Sequence, residues 1–322
     1  MNSFPKPVVL ASKCLGFAAC RYNGQTLNDS FVERLKPFVE FCPVCPEVEI
    51  GLGVPRAPIR VVNDKGRLCL YQPAADRNVT GEMEAFVGRC LDSVSETDGF
   101  VLKNRSPSCG FTDVKVYEGF GKDAGSKRGS GFFGGEVVRR FPFAPVEDEG
   151  RLKNFTIREH FLTSLFALAR FREVAREGSP KALVRFHTVN KYLLMGYNQA
   201  RMREMGTIVA NHGKRPLNEV TQDYGSALAQ ALKKPPRFTA MINVLLHAFG
   251  GFKDSLSPDE KRYFLGSVEE YRDERIPLSA ILRLIEAWAV GKGNPYLLEQ
   301  TFMRPYPREL VEVADSGKGR DW

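Results

Sequence analysis

Three things are missing from this chain, and each narrows what it can be. No apolar run reaches the ~20 residues that a membrane-spanning helix needs. The first residues lack the charged, apolar and small-residue blocks of a secretory signal. A disulfide framework is missing as well. Seven cysteines are an odd number, and in 322 residues without a signal they argue against one. The expected setting is therefore a reducing cytoplasm, away from membranes, with metal or cluster binding left open. There is also no second C-x-x-C pair to complete a structural zinc site with Cys42 and Cys45. The glycine-rich stretch Gly119 to Gly135 lacks the ordered spacing of a P-loop. It reads as a flexible connector, with a phosphate cradle or a lid as the alternatives.

What is present suits two ordinary domains, since 43% of the residues are hydrophobic. The net charge of +8 is unevenly spread. Residues 1–150 hold about 19 basic and about 19 acidic side chains, whereas residues 151–240 hold about 16 basic against about 6 acidic. A concentrated basic stretch is what a polyanion-binding surface requires.

In the first half, short apolar runs alternate with helical segments. Strands are expected at Pro7 to Ser12, Phe41 to Val44, Gly99 to Leu102 and Thr112 to Tyr117. Helices are expected over 27–40 and from Val79 to about Val94, and a hairpin over 58–71 that turns at Asn63-Asp64-Lys65-Gly66. This alternation argues for a mostly parallel, Rossmann-like α/β domain over residues 1–146. Phe141 to Gly150, with its prolines and acidic residues, reads as a linker. The second half, 151–322, has helical periodicity and few strand signals, so an all-α domain is expected.

Cys14, Cys45 and Cys109 each follow a strand at the same kind of strand-to-loop turn. Parallel strands bring such ends to one sheet edge, where three distant thiols can meet. Soft thiolates select zinc or iron–sulfur clusters, and spacing alone does not choose between them. Cys20, Cys42, Cys69 and Cys90 read as buried or idle thiols. Glu47 stands two residues after Cys45 and is either a turn cap or a base. Ser106 and Ser108 flank Pro107 before Cys109 and either bond the loop backbone or take part in chemistry.

The motifs Ser12-Lys13-Cys14-Leu15-Gly16 with Arg21-Tyr22-Asn23-Gly24, Cys45-Pro46-Glu47-Val48 with Gly51-Leu52 and Pro55-Arg56, and Ser106-Pro107-Ser108-Cys109-Gly110 resemble the thiouracil desulfidase family. The resemblance covers most of residues 7–140. It implies a [4Fe-4S] cluster on three cysteines, with one iron open, and the matching positions are Cys14, Cys45 and Cys109. It implies a catalytic carboxylate at Glu47 and a catalytic serine at Ser106. Asn23 departs from the family, which usually has Asp there. Arg21, Tyr22, Asn23, Arg56 and Ser108 fall in or beside the motifs and are candidates for substrate contact.

Basic side chains interleave with aromatics in the second half: Lys191 and Arg201 among Phe186, Tyr192 and Tyr197, then Lys233 and Lys234 before Pro235. That pattern suits a nucleic-acid backbone with exposed bases, although each aromatic alone is more often core. His187 and His247 read as core or interface histidines. One helix is expected from Lys181 to about Met205. Tyr271-Arg272, Ile276-Pro277-Leu278, Gln300 and Pro305-Tyr306-Pro307 resemble the helical domain of unknown function found fused after desulfidase domains. The combination resembles bacterial tRNA 4-thiouridine desulfidases. It implies non-redox removal of sulfur from 4-thiouridine in tRNA, giving uridine and hydrosulfide. The alternatives are desulfuration of free thiouracil or thiouridine, and a zinc-stabilised RNA-binding module without chemistry.

Overall fold

The protein is described by a computed structural model covering residues 4–312. It divides into two units, one made by the chain up to Phe161 together with Glu309 onward, the other by Leu162–Arg308.

The first unit is built on a four-stranded, wholly parallel sheet in the order β2-β1-β6-β9. Its members are β1 (Val8–Ser12), β2 (Glu40–Val44), β6 (Gly99–Leu102) and β9 (Val146–Asp148). The central strands are apolar on both faces, as a sheet covered on both sides demands, and β6 is buried at all four positions. The chain starts at β1, passes to β2 on one side, then returns to β6 on the other. The gap between the ends of β1 and β6 is therefore a topological switch point, the usual place for a site in such sheets.

A second sheet, which takes in the expected 58–71 hairpin and the expected strand at Thr112 to Tyr117, has the order β5-β4-β3-β7-β8. It contains β3 (Arg60–Asp64), β4 (Arg67–Gln72), β5 (Arg77–Asn78), β7 (Val114–Tyr117) and β8 (Ser126–Gly129). The β3–β4 hairpin turns through Lys65 and Gly66, both at positive φ. Its partner β7 lies parallel to β3 and antiparallel to β8. Val61, Leu70 and Val116 of this sheet share one core with Leu10, Phe100 and Leu102 of the first, together with Met83 and Val87 of α3 (Thr80–Asp92).

Three local expectations are corrected. The helix over 27–40 shortens to α1 (Ser30–Leu35), because Asp29 caps it through Phe31 and Val32 amides at 3.0 and 3.1 Å and Pro37 leaves only a 3-10 turn. The Gly119–Gly135 stretch is not a connector throughout. It contains β8 and the start of α4 (Phe132–Arg140). Phe141 to Gly150 is not a linker either, since β9 pairs with β6 as the sheet's edge strand. Its acidic residues looked solvated, yet Asp148 and Glu149 are buried.

The chain leaves the first unit within α5 (Phe155–Glu177). The second unit consists of helices α6 (Pro180–Val189), α7 (Lys191–Ala210), α8 (Leu217–Ala231), α9 (Phe238–Gly250), α10 (Pro258–Arg272), α11 (Leu278–Gly291) and the short α12 (Pro295–Glu299). Leu194, Tyr224, Val244, Leu245, Phe264 and Ile285 lie at the centre of its core. The expected single helix over 181–205 is broken twice, at Asn190 and again inside α7 at Asn198, whose φ of −159° and ψ of 97° are not helical. Buried Asn190 separates α6 from α7, spending its carboxamide on Phe186 O at 2.8 Å and Thr301 Oγ1 at 2.6 Å. Among the described residues no helix is long and apolar enough to cross a membrane.

Candidate active site

All four parallel strands deliver chemistry at their carboxyl ends. Ser12 closes β1, and the turn after it, with Leu15 N–H on Ser12 O at 2.9 Å, sets Cys14 at the edge. Cys45 follows β2 and is the N-cap residue of α2 (Pro46–Glu49). The loop after β6 carries Lys103, Ser106, Ser108 and Cys109, and Glu149 follows β9. Cys14, Cys45 and Cys109 line one cavity of about 410 Å³. A fourth thiol lines it too: Cys20, buried, whose backbone carbonyl accepts from Cys45 Sγ at 3.7 Å. The sequence reading left Cys20 idle. Its signal was its place in the Cys14 loop, immediately before Arg21-Tyr22.

Three of these thiols, Cys14, Cys20 and Cys109, resist ionisation without a cation. Burial pushes Cys14 up to about 11, with Cys45 adding to the rise and Lys103 opposing it. Burial pushes Cys20 up to about 12, again with Cys45 adding. Cys109 is raised by burial, against a Ser12 hydrogen bond that favours its thiolate, and Cys14, Glu47 and Cys45 raise it further. A positively charged, sulfur-seeking group reverses that balance, so the donor set fits a soft metal centre. Among the described residues no three His, Cys, Asp or Glu side chains close around a single ion. The thiols sit around a cavity instead, as ligands to a multi-iron cluster would. Cys42 is exposed and does not line the cavity. The C-x-x-C pair is therefore not a joint ligand set.

Glu47 is held on both oxygens. Arg56 donates from Nε and Nη2 to Oε2, each at 2.8 Å, and its side chain is only 4% exposed. Arg56 Nη1 donates in addition to the carbonyls of Cys20 and Gly53 at 3.0 and 2.9 Å. Ser108 donates to Glu47 Oε1 at 2.7 Å, and its Oγ lies 3.0 Å from Ser106 Oγ. Ser108 rather than Ser106 thus touches the carboxylate. Arg56 lines the cavity but is committed to Glu47. A second ion pair, Lys103 with Glu149, stands beside Cys14. The sequence reading missed it, although each partner is the first residue past the end of a parallel strand.

The loop bearing Ser106 to Gly110 rests on the N-terminus of α4. The amides of Phe132 and Phe133 donate to Pro107 O and Ser108 O at 3.2 and 2.9 Å, and Gly131 N–H donates to Gly110 O at 2.7 Å. The glycines are required by proximity. A Cβ on Gly134 would stand 2.3 Å from Cys109 O, and one on Gly131 2.6 Å from Ser108 O. The helix-start amides therefore hold the serine–cysteine loop, not a phosphate.

The remaining candidates divide. Arg21 and Tyr22 line the cavity, with Tyr22 exposed and the Arg21 guanidinium 5.8 Å over its ring. Asn23 does not line it. Its side chain closes the turn by bonding Gln25 at 2.8 and 3.2 Å. In the second unit Lys191, Lys233 and Lys234 are exposed, and Arg201 pairs with Glu204 at 2.6 Å. Phe186 is core, while Tyr192 and Tyr197 are partly buried against it. His187 bonds Tyr224 at 3.2 Å, and His247 is exposed, so it is not a core histidine.

Comparison with known proteins agrees with this division of the chain. Residues 9–149 match the family described as 2-thiouracil desulfurase. Residues 191–307 match a family described as a protein of unknown function, DUF1722. The uncharacterized protein YbgA of Escherichia coli is 25% identical over 158 residues, 48% of this chain and 93% of its own length. The uncharacterized protein YbbK of Bacillus subtilis is 28% identical over 110 residues, 32% of this chain and 73% of its own. A solved structure, the [4Fe-4S]-dependent thiouracil desulfidase TudS, is 26% identical with a TM-score of 0.38, covering 46% of this chain and 93% of that one. The chain thus carries a segment matching the 2-thiouracil desulfurase family over residues 9–149, followed by one matching DUF1722 over residues 191–307.

Proposed function

We propose that the first unit removes sulfur from a thiolated pyrimidine by hydrolysis, and that the substrate is 4-thiouridine carried in tRNA. The observation that carries the reading is the convergence of Cys14, Cys45 and Cys109 on one cavity beside the doubly held carboxylate of Glu47. The three thiols would hold a [4Fe-4S] cluster, which supplies a soft Lewis acid for a thiocarbonyl sulfur.

The protein's own groups supply the rest. Glu47 takes a proton from water as the oxygen attacks carbon 4. Arg56 occupies both bonding directions it can reach on Oε2, so the remaining basic lone pair is on Oε1. The carbon–oxygen bond forms, the carbon–sulfur bond breaks, and sulfur departs as hydrosulfide with no change in redox state. Exposed Tyr22 at the cavity rim offers a ring on which a base can stack.

The tRNA part rests on the basic excess over residues 151–240 and on exposed Lys191, Lys233 and Lys234. A base in tRNA has to leave its stack to enter such a cavity. A second reading, action on free thiouracil or thiouridine, is favoured by the fact that the described residues lining the cavity, from Ser12 to Cys109, belong to the first unit. The anaerobically loaded protein separates the two when offered tRNA containing 4-thiouridine and free thiouracil, with the near-ultraviolet thiocarbonyl band and hydrosulfide followed together. Faster loss of the tRNA band supports the proposal. Equal or faster turnover of the free base selects the second reading, and no hydrosulfide from either removes both.

A further inference from the structure

The hydrogen bonds around Glu47 fix a direction. Ser106 Oγ accepts two backbone N–H groups, from Cys109 at 3.1 Å and Ser108 at 3.3 Å. A hydroxyl oxygen has two lone pairs and one proton, so with both lone pairs engaged Ser106 has only its proton to offer. The group within reach of that proton is Ser108 Oγ, at 3.0 Å. Ser108 likewise has one proton and two candidate acceptors, Glu47 Oε1 at 2.7 Å and Cys109 Sγ at 3.9 Å. The short contact to a carboxylate oxygen outweighs the long one to sulfur. The chain of donation therefore runs one way, Ser106 to Ser108 to Glu47. Its inner members are buried, Ser108 at 1% and Glu47 at 9% exposure, whereas Ser106 is half-buried and lines the cavity.

We propose that Ser108 is a relay and positioning residue through which Glu47 draws the proton of the attacking water by way of Ser106. This rests on the desulfuration reading above and names how its carboxylate reaches the water. Ser106 takes the water's proton in place of its longer amide contact and passes its own to Ser108. Ser108 passes its own to Glu47 Oε1. One proton moves from water to carboxylate, both hydroxyls are regenerated, and the water oxygen bonds to carbon. The same bond from Ser108, together with the Arg56 pair on Oε2, holds the carboxylate plane in one orientation. Ser108 thereby enters the chemistry although it is the more buried serine of the motif.

The test is a double-mutant cycle on the loaded protein: wild type, Ser106→Ala, Ser108→Ala and the double variant, with single-turnover rates taken per cluster from measured iron. Ser108→Ala is expected to slow turnover by about 100-fold, within the span of one positioned acid–base group, with KM changed less than about twofold. Two members of one relay are not additive, so the double variant should be no slower than Ser108→Ala alone. In the wild type, single-turnover rates across mixtures of light and heavy water should fall along a bowed line, the mark of more than one proton in flight. Ser108→Ala within about twofold of wild type, additive losses in the double variant, or a straight line in the water mixtures each overturns the relay while leaving the desulfuration reading intact. Absence of hydrosulfide release from the wild type overturns that reading and the relay with it.

Discussion

Arg56 donates two of its N–H groups to a single oxygen of Glu47, Nε and Nη2 each 2.8 Å from Oε2, in a pair almost closed to solvent. The two residues come from the turn after one strand and from a loop nine positions on, so the pair ties the Cys45 segment to the Gly53 loop. Removing one partner of a buried pair leaves an uncompensated charge, an effect of about 3–5 kcal/mol. Arg56→Met is expected to destabilise the protein by that order. Glu47→Gln/Arg56→Met should recover most of the loss and remain inactive. Urea unfolding of the three proteins checks this. Equal stability of Arg56→Met and wild type would show that the pair contributes little.

Gly134 lies where a side chain would meet the carbonyl of Cys109 at 2.3 Å, backbone against backbone with no flexible group to yield. Gly134→Ala should force the serine–cysteine loop away from α4, at a loss of about 1–3 kcal/mol, and lower iron loading. Gly88, in α3 with open space around it, is the control, and Gly88→Ala should leave loading unchanged. Thermal unfolding with iron counts on both variants checks it.

His160, in α5, is pushed down to about 4 by burial. In the unfolded chain a histidine binds its proton near the ordinary value of 6.5. Between about pH 6.5 and 4 the unfolded state therefore binds more protons, and stability falls as pH falls through that window. The contribution is fully present above pH 6.5 and about 2 kcal/mol of it is lost by pH 5. His160→Gln should flatten this slope in urea midpoints measured from pH 7.5 to 4.5. An unchanged slope would assign the acid sensitivity to other groups.

The sequence made the meeting of Cys14, Cys45 and Cys109 at one cavity legible because each cysteine follows an apolar run at a chain break, and parallel strands bring such ends to one edge. The resemblance put the catalytic serine at Ser106 and did not point to Ser108 as the partner of Glu47. Both sit in the same five-residue motif, and only the folded loop shows which oxygen meets Glu47. For Cys20 the one local signal was its place in the Cys14 loop, since residue type alone does not separate a packed thiol from a cavity thiol. The Lys103–Glu149 pair spans 46 positions and joins β6 to an edge strand whose acidic composition reads as linker. The glycines of 131–135 looked like freedom. In the structure Gly131, Gly134 and Gly135 answer close approach, which periodicity does not record.

The central claim is that three of the four cavity thiols hold an iron–sulfur cluster. Iron and acid-labile sulfide are counted in wild type and five variants after anaerobic reconstitution. The account predicts about four irons per chain in wild type, Cys20→Ala and Cys42→Ala, and almost none in Cys14→Ala, Cys45→Ala and Cys109→Ala. Full iron in any of the last three, or stoichiometric zinc with no iron in the wild type, would contradict it.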